Sequence, residues 1–528
     1  HDRFGHQGMK GDARMKIRKL VCAMAALLTA SAGFQTASAE KVEERAFPSY
    51  TYGLWGEASD CPAPYTLDGR VTGVDLGLPD FRQINDLFAA ANGRVYVAVS
   101  GPEEEDNRII VLDEQLSLLE TAEGYTAADG AFVRFGEPLG IFVDAGSDIY
   151  ICDGKTKEVL HLDGQFREKL IIPAPTAEAS AIINEEFTER YRPSKLAVDP
   201  TGRIHVVAIN INEGIVEFEP DGTFTGFLAA GKVKYSTIEL LWRRLSTAAQ
   251  RERMKDFVPV EYNNIELDED GYLFATLAAM DENAVRGDIQ SGSSSDQGMV
   301  VRRLNYLGSD IMDRNGYGPV VGDLDVLDSG LSGYTGISQI TDVSCGENGT
   351  FTLLDNNRSH IFTYSQDGYL LYAFAGPDVT AGGLRMPVAV TQQEEYLYVA
   401  DTGTRSVCVY RQTAFARSVQ QALSAEYTGD LQEAEAAWEA VLEQSAGYAL
   451  AYVGLGKIAY QSGEYETAMR LFEESQNSTW YSKAFKQYRA QQMQRYFVPA
   501  VVLLAAAVVL AAVPLTWRYI RRRGRRGQ

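Results

Sequence analysis

Between residues 65 and 410, short apolar runs alternate with polar turns in one theme that recurs six times. Each copy has an apolar strand, a Gly- or Asn-containing turn, a β-rich strand, a polar turn and a third apolar strand. The clearest copies are Pro138–Asp144 followed by Asp148–Asp153, and Pro193–Asp199 followed by Gly202–Val207; the others start at Ile84, Tyr262, Ile340 and Pro387. Third strands are expected at 109–112, 159–162, 215–218, 300–304, 361–364 and 407–410. A fourth usually follows an Asp-Gly turn, as at Asp221-Gly222 and Asp367-Gly368.

Four antiparallel strands per ~50 residues form the blade of a β-propeller, which protects its sheet edges by radial repetition. The sixth copy stops at its third strand, and a spare fourth-type strand, Asp68–Leu76, precedes the first copy. Pairing the two would lock the ring. The copies resemble NHL repeats, with Tyr398-Val-Ala-Asp401 plus Arg405 and Leu354-Asp355-Asn-Asn-Arg358 plus Ile361 carrying the likeness over about residues 65–410. The resemblance implies a six-bladed NHL-type propeller, residues 65–412, in a mainly β chain, and by itself names no activity.

Two stretches interrupt the repeats. Residues 236–255 read as a helix with Ile238, Leu241, Trp242 and Leu245 on one face. It fits a cap on the propeller rim, and Trp242, Arg243 and Arg244 are its candidates for docking an anionic partner or a membrane surface. Residues 281–297, rich in Gly, Ser and Asp, read as a flexible loop.

From Thr413 the pattern turns helical. Gly429 and Gly463, Leu431 and Tyr465, Ala434 and Ala468, and Trp438 and Phe472 each stand 34 residues apart, a spacing that resembles tetratricopeptide (TPR) repeats. Residues 413–496 are expected to form such a hairpin unit, capped by the helix that follows; in that family such repeats bind peptides or proteins. Phe497–Trp517 is free of charge and long enough to cross ~30 Å of hydrocarbon.

Charge then fixes an expected orientation. The 528 residues carry a net charge of −22, yet residues 1–39 hold six basic and two acidic groups, and residues 497–528 hold six arginines and no acid. The body between therefore carries −22 − 4 − 6 = −32. Such acidity argues against a nucleic-acid partner. Lys16, Arg18 and Lys19, the apolar run Leu20–Ala30 and the Ala37-Ser38-Ala39 site read as a secretory signal. Residues 40–64 would then be an N-terminal extension outside the cell membrane, and 518–528 a basic cytoplasmic tail below a single-pass helix at 497–517. Cys61, Cys152, Cys345 and Cys408 fit buried free thiols at least as well as bridges.

Catalytic signatures are sparse. HExxH, GxSxG and CxxC do not occur. His161, His205 and His360 fall in or beside second and third strands, away from the channel, which counts against the zinc-dependent amidating lyases that some NHL-like propellers resemble. Aligned openings of the first strands give Asn85-Asp86, Leu139-Gly140, Ser194-Lys195, Asn263-Asn264, Thr341-Asp342 and Val388-Ala389 around one channel mouth. Asn85, Asp86, Lys195, Asn263, Asn264 and Asp342 are the candidate binding residues, with Glu137 and Glu261 just upstream.

Two functions follow. One is a membrane-anchored extracytoplasmic scaffold needing no cofactor, its propeller and helical repeats engaging a protein, a glycan or a membrane protein complex. Anchored proteins of this resemblance look like Gram-positive surface proteins, for which an accessory role beside a membrane transport complex would suit. The alternative is a calcium-dependent, lactonase-like hydrolase in the channel, since related six-bladed lactonases hold calcium through channel Glu, Asn and Asp oxygens.

Overall fold

The structure is a computed structural model and describes residues 48–180, 182–229, 261–277, 281–324, 336–377 and 382–524. The expected signal segment, the 236–255 insertion with Trp242, Arg243 and Arg244, and the last four residues lie outside the described residues.

Six sheets form a closed ring, each inner strand beside the inner strands of the two neighbouring blades. Blades 1 to 3 begin at Gln83, Pro138 and Pro193, and each has four antiparallel strands. Blade 4 has three among the described residues, Tyr262–Leu267, Leu273–Leu277 and Val301–Leu304. Blade 5 runs from Ile340–Cys345 out to Leu370–Ala375, where an N-terminal hairpin, Tyr50–Tyr52 and Ala58–Asp60, extends it to six strands. Blade 6, Pro387–Gln393, Tyr396–Asp401 and Ser406–Gln412, is completed by Tyr65–Thr72, paired antiparallel from Ser406↔Thr72 to Gln412↔Tyr65. The ring is thus locked as the spare strand requires, although that strand starts at Tyr65 and gives way to a turn after Thr72.

The repeated Asp at the end of second strands is structural. The Asp153 carboxylate accepts from the backbone N–H of Gly136, Glu137, Lys155 and Thr156. Asp401 does the same for Arg385, Met386, Gly403 and Thr404. One buried carboxylate thereby satisfies the turns on both sides of its strand, and buried backbone donors require such partners.

Short helix α1, Glu185–Arg190, joins blades 2 and 3, and α2, Glu282–Ser291, sits between the second and third strands of blade 4. Helix α2 corrects the loop expected at 281–297: Asp281 caps its N-terminus, Gly292 closes its C-terminus at φ 63°, and Val285 is buried. The helical propensity of Glu-Asn-Ala-Val-Arg outweighs the Gly/Ser composition of its second half.

Four helices follow the propeller: α3, Ala414–Thr428; α4, Leu431–Gln444; α5, Ala449–Gln461; and α6, Tyr465–Glu474. They form two hairpins whose turns use Gly429 and Gly463 at φ 79° and 80°, where a β-carbon would be strained. The 34-residue pairs are equivalent in space as well: Ala434 and Ala468 are fully buried, and Trp438 and Phe472 fill the hairpins. A seventh helix, α7, Ser478–Gly524, packs Trp480 and Ala484 on Phe472 before leaving the body. It continues through Pro499 and Pro514, and it is long and apolar enough to cross a membrane.

The hairpins and the propeller share one hydrophobic core, in which Tyr372, Phe374 and Tyr410 of blades 5 and 6 meet Phe415, Val419 and Tyr448 of the helices. Tyr448 Oη donates to the Leu371 carbonyl (2.9 Å) and Tyr317 Oη to that of Ser475 (2.7 Å). The helical unit is therefore part of the propeller body. Among the described residues Cys61, Cys152, Cys345 and Cys408 form no disulfide with one another, and all but Cys345 are buried.

Candidate functional site

All six inner strands carry the same irregularity. Their register slips between Ile84 and Asp86, Pro138 and Gly140, Pro193 and Lys195, Tyr262 and Asn264, Ile340 and Asp342, and Pro387 and Ala389. Each skipped residue is a β-bulge, a device that re-aims side chains. It splits every expected pair in two.

The bulged residues serve the joints between blades. Asn85 Nδ2 donates to Ser100 Oγ (2.8 Å) and to the Pro138 carbonyl of blade 2 (2.7 Å). Asn263 Nδ2 donates to the Ile340 carbonyl of blade 5 (3.0 Å) while its oxygen accepts from Thr276 Oγ1. Glu137 and Glu261 are likewise engaged elsewhere, with Arg192 Nη2 (2.6 Å) and the Asn210 N–H (2.8 Å).

The residues after the bulges come together. Asp86, Lys195, Asn264 and Asp342 line one central cavity, joined by Phe88, Phe142, Glu266 and Thr391. The Lys195 ammonium pairs with the Asp86 carboxylate, both side chains nearly buried, and reaches the Asn85 carbonyl (3.3 Å). The other Asp86 oxygen accepts the Ile141 N–H of blade 2 (2.9 Å). Asp342 repeats the arrangement two blades away round the ring, accepting from Val343 N (2.8 Å) and from Val390 N of blade 6 (2.6 Å). Asn264 Oδ1 accepts from Ile265 N (2.8 Å). Glu266 was not among the sequence candidates, although it stands two residues beyond Asn264 and so on the same strand face. Its Oε1 accepts from Cys345 N (3.1 Å).

Burial dominates the electrostatics. It raises the Asp342 carboxyl to about 7, with Lys195 pulling back and Asp86 pushing further. It lifts Glu266 well above the carboxylate range, helped by Asp342. Burial also raises Asp86, and the Lys195 ammonium draws it back. For Lys195, burial alone would depress the ammonium, but Asp86 and Asp342 outweigh it and hold the group above its ordinary value. The channel thus carries its own cation.

The donor set does not fit a calcium ion, which takes six to eight oxygens. One Asp86 oxygen faces an ammonium, and its other oxygen, both Asp342 oxygens and the Asn264 oxygen accept backbone N–H groups. Among the described residues no three His, Cys, Asp or Glu side chains stand close enough to hold a metal. The space left is about 30 Å³, enough for one or two waters. Small-molecule sites run to roughly 300 Å³ and more. The three strand histidines lie elsewhere, His161 on Asp148 (3.0 Å), His205 between Asp199 (3.7 Å) and Glu217 (3.3 Å), and His360 on Asp323 (3.0 Å).

No family model and no curated protein matches the chain. Solved structures do. Virginiamycin B lyase from Staphylococcus aureus is similar at 9% identity over 66% of this chain and 100% of its own, with a TM-score of 0.37. An auxiliary nutrient binding protein from Bacteroides ovatus is similar at 11% identity over 70% of this chain and 78% of its own, TM-score 0.37. Such likenesses concern overall fold and bring no residue roles to this chain.

Proposed function

We propose that this chain is a membrane-anchored extracytoplasmic scaffold, whose propeller and TPR-like helices hold a protein or glycan partner beside a membrane complex. The observation that carries the reading is the Lys195–Asp86 pair. A channel neutralised by its own lysine, with space for little more than water, leaves the outer surfaces as the working parts. The rigid union of hairpins and propeller supports a holding role, since partners on either would keep a fixed relation to the helix that follows. The leader-like residues 16–39 and the arginines from Arg518 onward support an N-terminal body outside and a tail inside.

The calcium-dependent hydrolase keeps one observation in its favour, the convergence of Asp86, Asn264, Glu266 and Asp342 on one cavity. Cross-linking of the full-length chain in native membranes, followed by purification through its tail, separates the readings. The scaffold yields a membrane protein partner in fixed stoichiometry. A hydrolase yields the chain alone, with calcium-dependent ester cleavage.

A further inference from the structure

A roomier cavity than the channel, about 180 Å³, opens where the turn Ser365–Leu371 of blade 5 faces helices α3, α4 and α5. It is a built space. Trp438 lies so close over Gly454 that a β-carbon there would overlap the indole, and the indole Nε1–H donates to Glu426 Oε1 (2.6 Å). Opposite, Lys457 Nζ donates to Asp367 Oδ2 (2.7 Å) and stands 6.0 Å from the Tyr369 ring.

The charge in this cavity is unbalanced. Asp367 and Glu426 line it against the single ammonium of Lys457, a net of one negative charge. Lys457 is already tied to Asp367. Glu426 keeps its second oxygen, Oε2, without a hydrogen-bond partner among the described residues. Burial raises the Glu426 carboxyl, against the pull of the Lys457 ammonium and the Trp438 N–H. Beside it, Leu423, Leu450 and Val453 offer apolar wall, and Trp438 and Tyr427 offer aromatic surface. An anion meets excess negative charge here, and a neutral guest leaves that excess uncompensated. A cation supplies what the site lacks. A cavity of roughly 150 Å³ can hold benzene, so the guest has the size of one long side chain.

We propose that this cavity binds a primary alkylammonium group, either a free amine or the lysine side chain of a partner protein. The site stands apart from the channel and does not depend on the membrane reading.

Calorimetry on the full-length chain in detergent at pH 7 tests it with 5-aminopentan-1-ol and, as neutral match, 1,5-pentanediol. The amine binds saturably and at least about tenfold more tightly than the diol, the worth of one charge-assisted contact. Glu426→Gln keeps an acceptor for Trp438 and removes that preference, while Leu423→Trp fills the cavity and removes amine binding with the melting temperature kept. Nα-acetyl-lysine amide distinguishes the sources: tighter binding than the aminoalcohol assigns the site to a lysine side chain, weaker binding to a free amine. Equal binding of amine and diol, no saturable binding of the amine, or a preference that survives Glu426→Gln overturns the proposal.

Discussion

The Lys195 ammonium of blade 3 and the Asp86 carboxylate of blade 1 form a buried ion pair inside the propeller, reaching past the intervening blade 2. Blade 2 makes room with Gly140 at the equivalent position, and its Ile141 N–H supplies the second contact to Asp86. Three blades are fastened by one pair.

Removing one member of that pair strands a charge. Lys195→Met is expected to destabilise the fold by about 3–5 kcal/mol, and adding Asp86→Asn to recover much of the loss. Urea unfolding of the single and double variants checks this, and additive losses would refute the pairing.

The channel also makes stability depend on pH. The Asp342 carboxyl, at about 7 in the folded chain, lies above the ordinary value near 4. Between those values the folded chain holds a proton that the unfolded chain has released. This group's stabilisation is therefore full below pH 4 and falls by about 1 kcal/mol per unit up to pH 7. Asp342→Asn is expected to flatten that part of the profile, measured by unfolding from pH 4 to 8, whatever its effect on absolute stability.

Much of this was legible in the sequence, and the reason is periodicity. Period-two runs with turn residues placed the blades, the incomplete sixth copy named its closing strand, and the 34-residue pairs located both hairpins. The channel was half legible. Aligned strand openings point to Asp86, Lys195, Asn264 and Asp342, which line the cavity, but a bulge leaves no mark in hydrophobic pattern, and the same alignment groups with them Asn85 and Asn263, which join blades. Glu266 had a signal in its even spacing from Asn264. The cavity around Glu426 had none, because it arises where two modules distant in sequence meet.

The N-terminal hairpin straps blade 5 through one acid. Tyr50 Oη (2.8 Å) and Tyr52 Oη (2.7 Å) both donate to Asp323 Oδ1, while Arg358 and His360 hold Oδ2. Tyr52→Phe is expected to cost about 1–2 kcal/mol and to speed proteolysis near residue 48, since the hydroxyl also accepts the Leu324 N–H. Limited proteolysis with a melting curve checks both effects.

Packing between helices α4 and α5 is tight at Gly454. Gly454→Ala drives a methyl into the Trp438 indole and is expected to cost about 1–3 kcal/mol despite the better helix propensity of alanine. Tryptophan fluorescence during unfolding follows it, and a stabilised variant would contradict the packing described.

Thermal unfolding of the full-length chain with calcium and with EDTA, paired with metal analysis, tests the account most directly. A ligand that binds only the folded state raises its melting temperature. With Lys195 as the channel's cation, the curves are expected to coincide and the protein to carry no stoichiometric metal. A saturable calcium shift that disappears in Asn264→Ala would contradict the account and move the channel to the hydrolase reading.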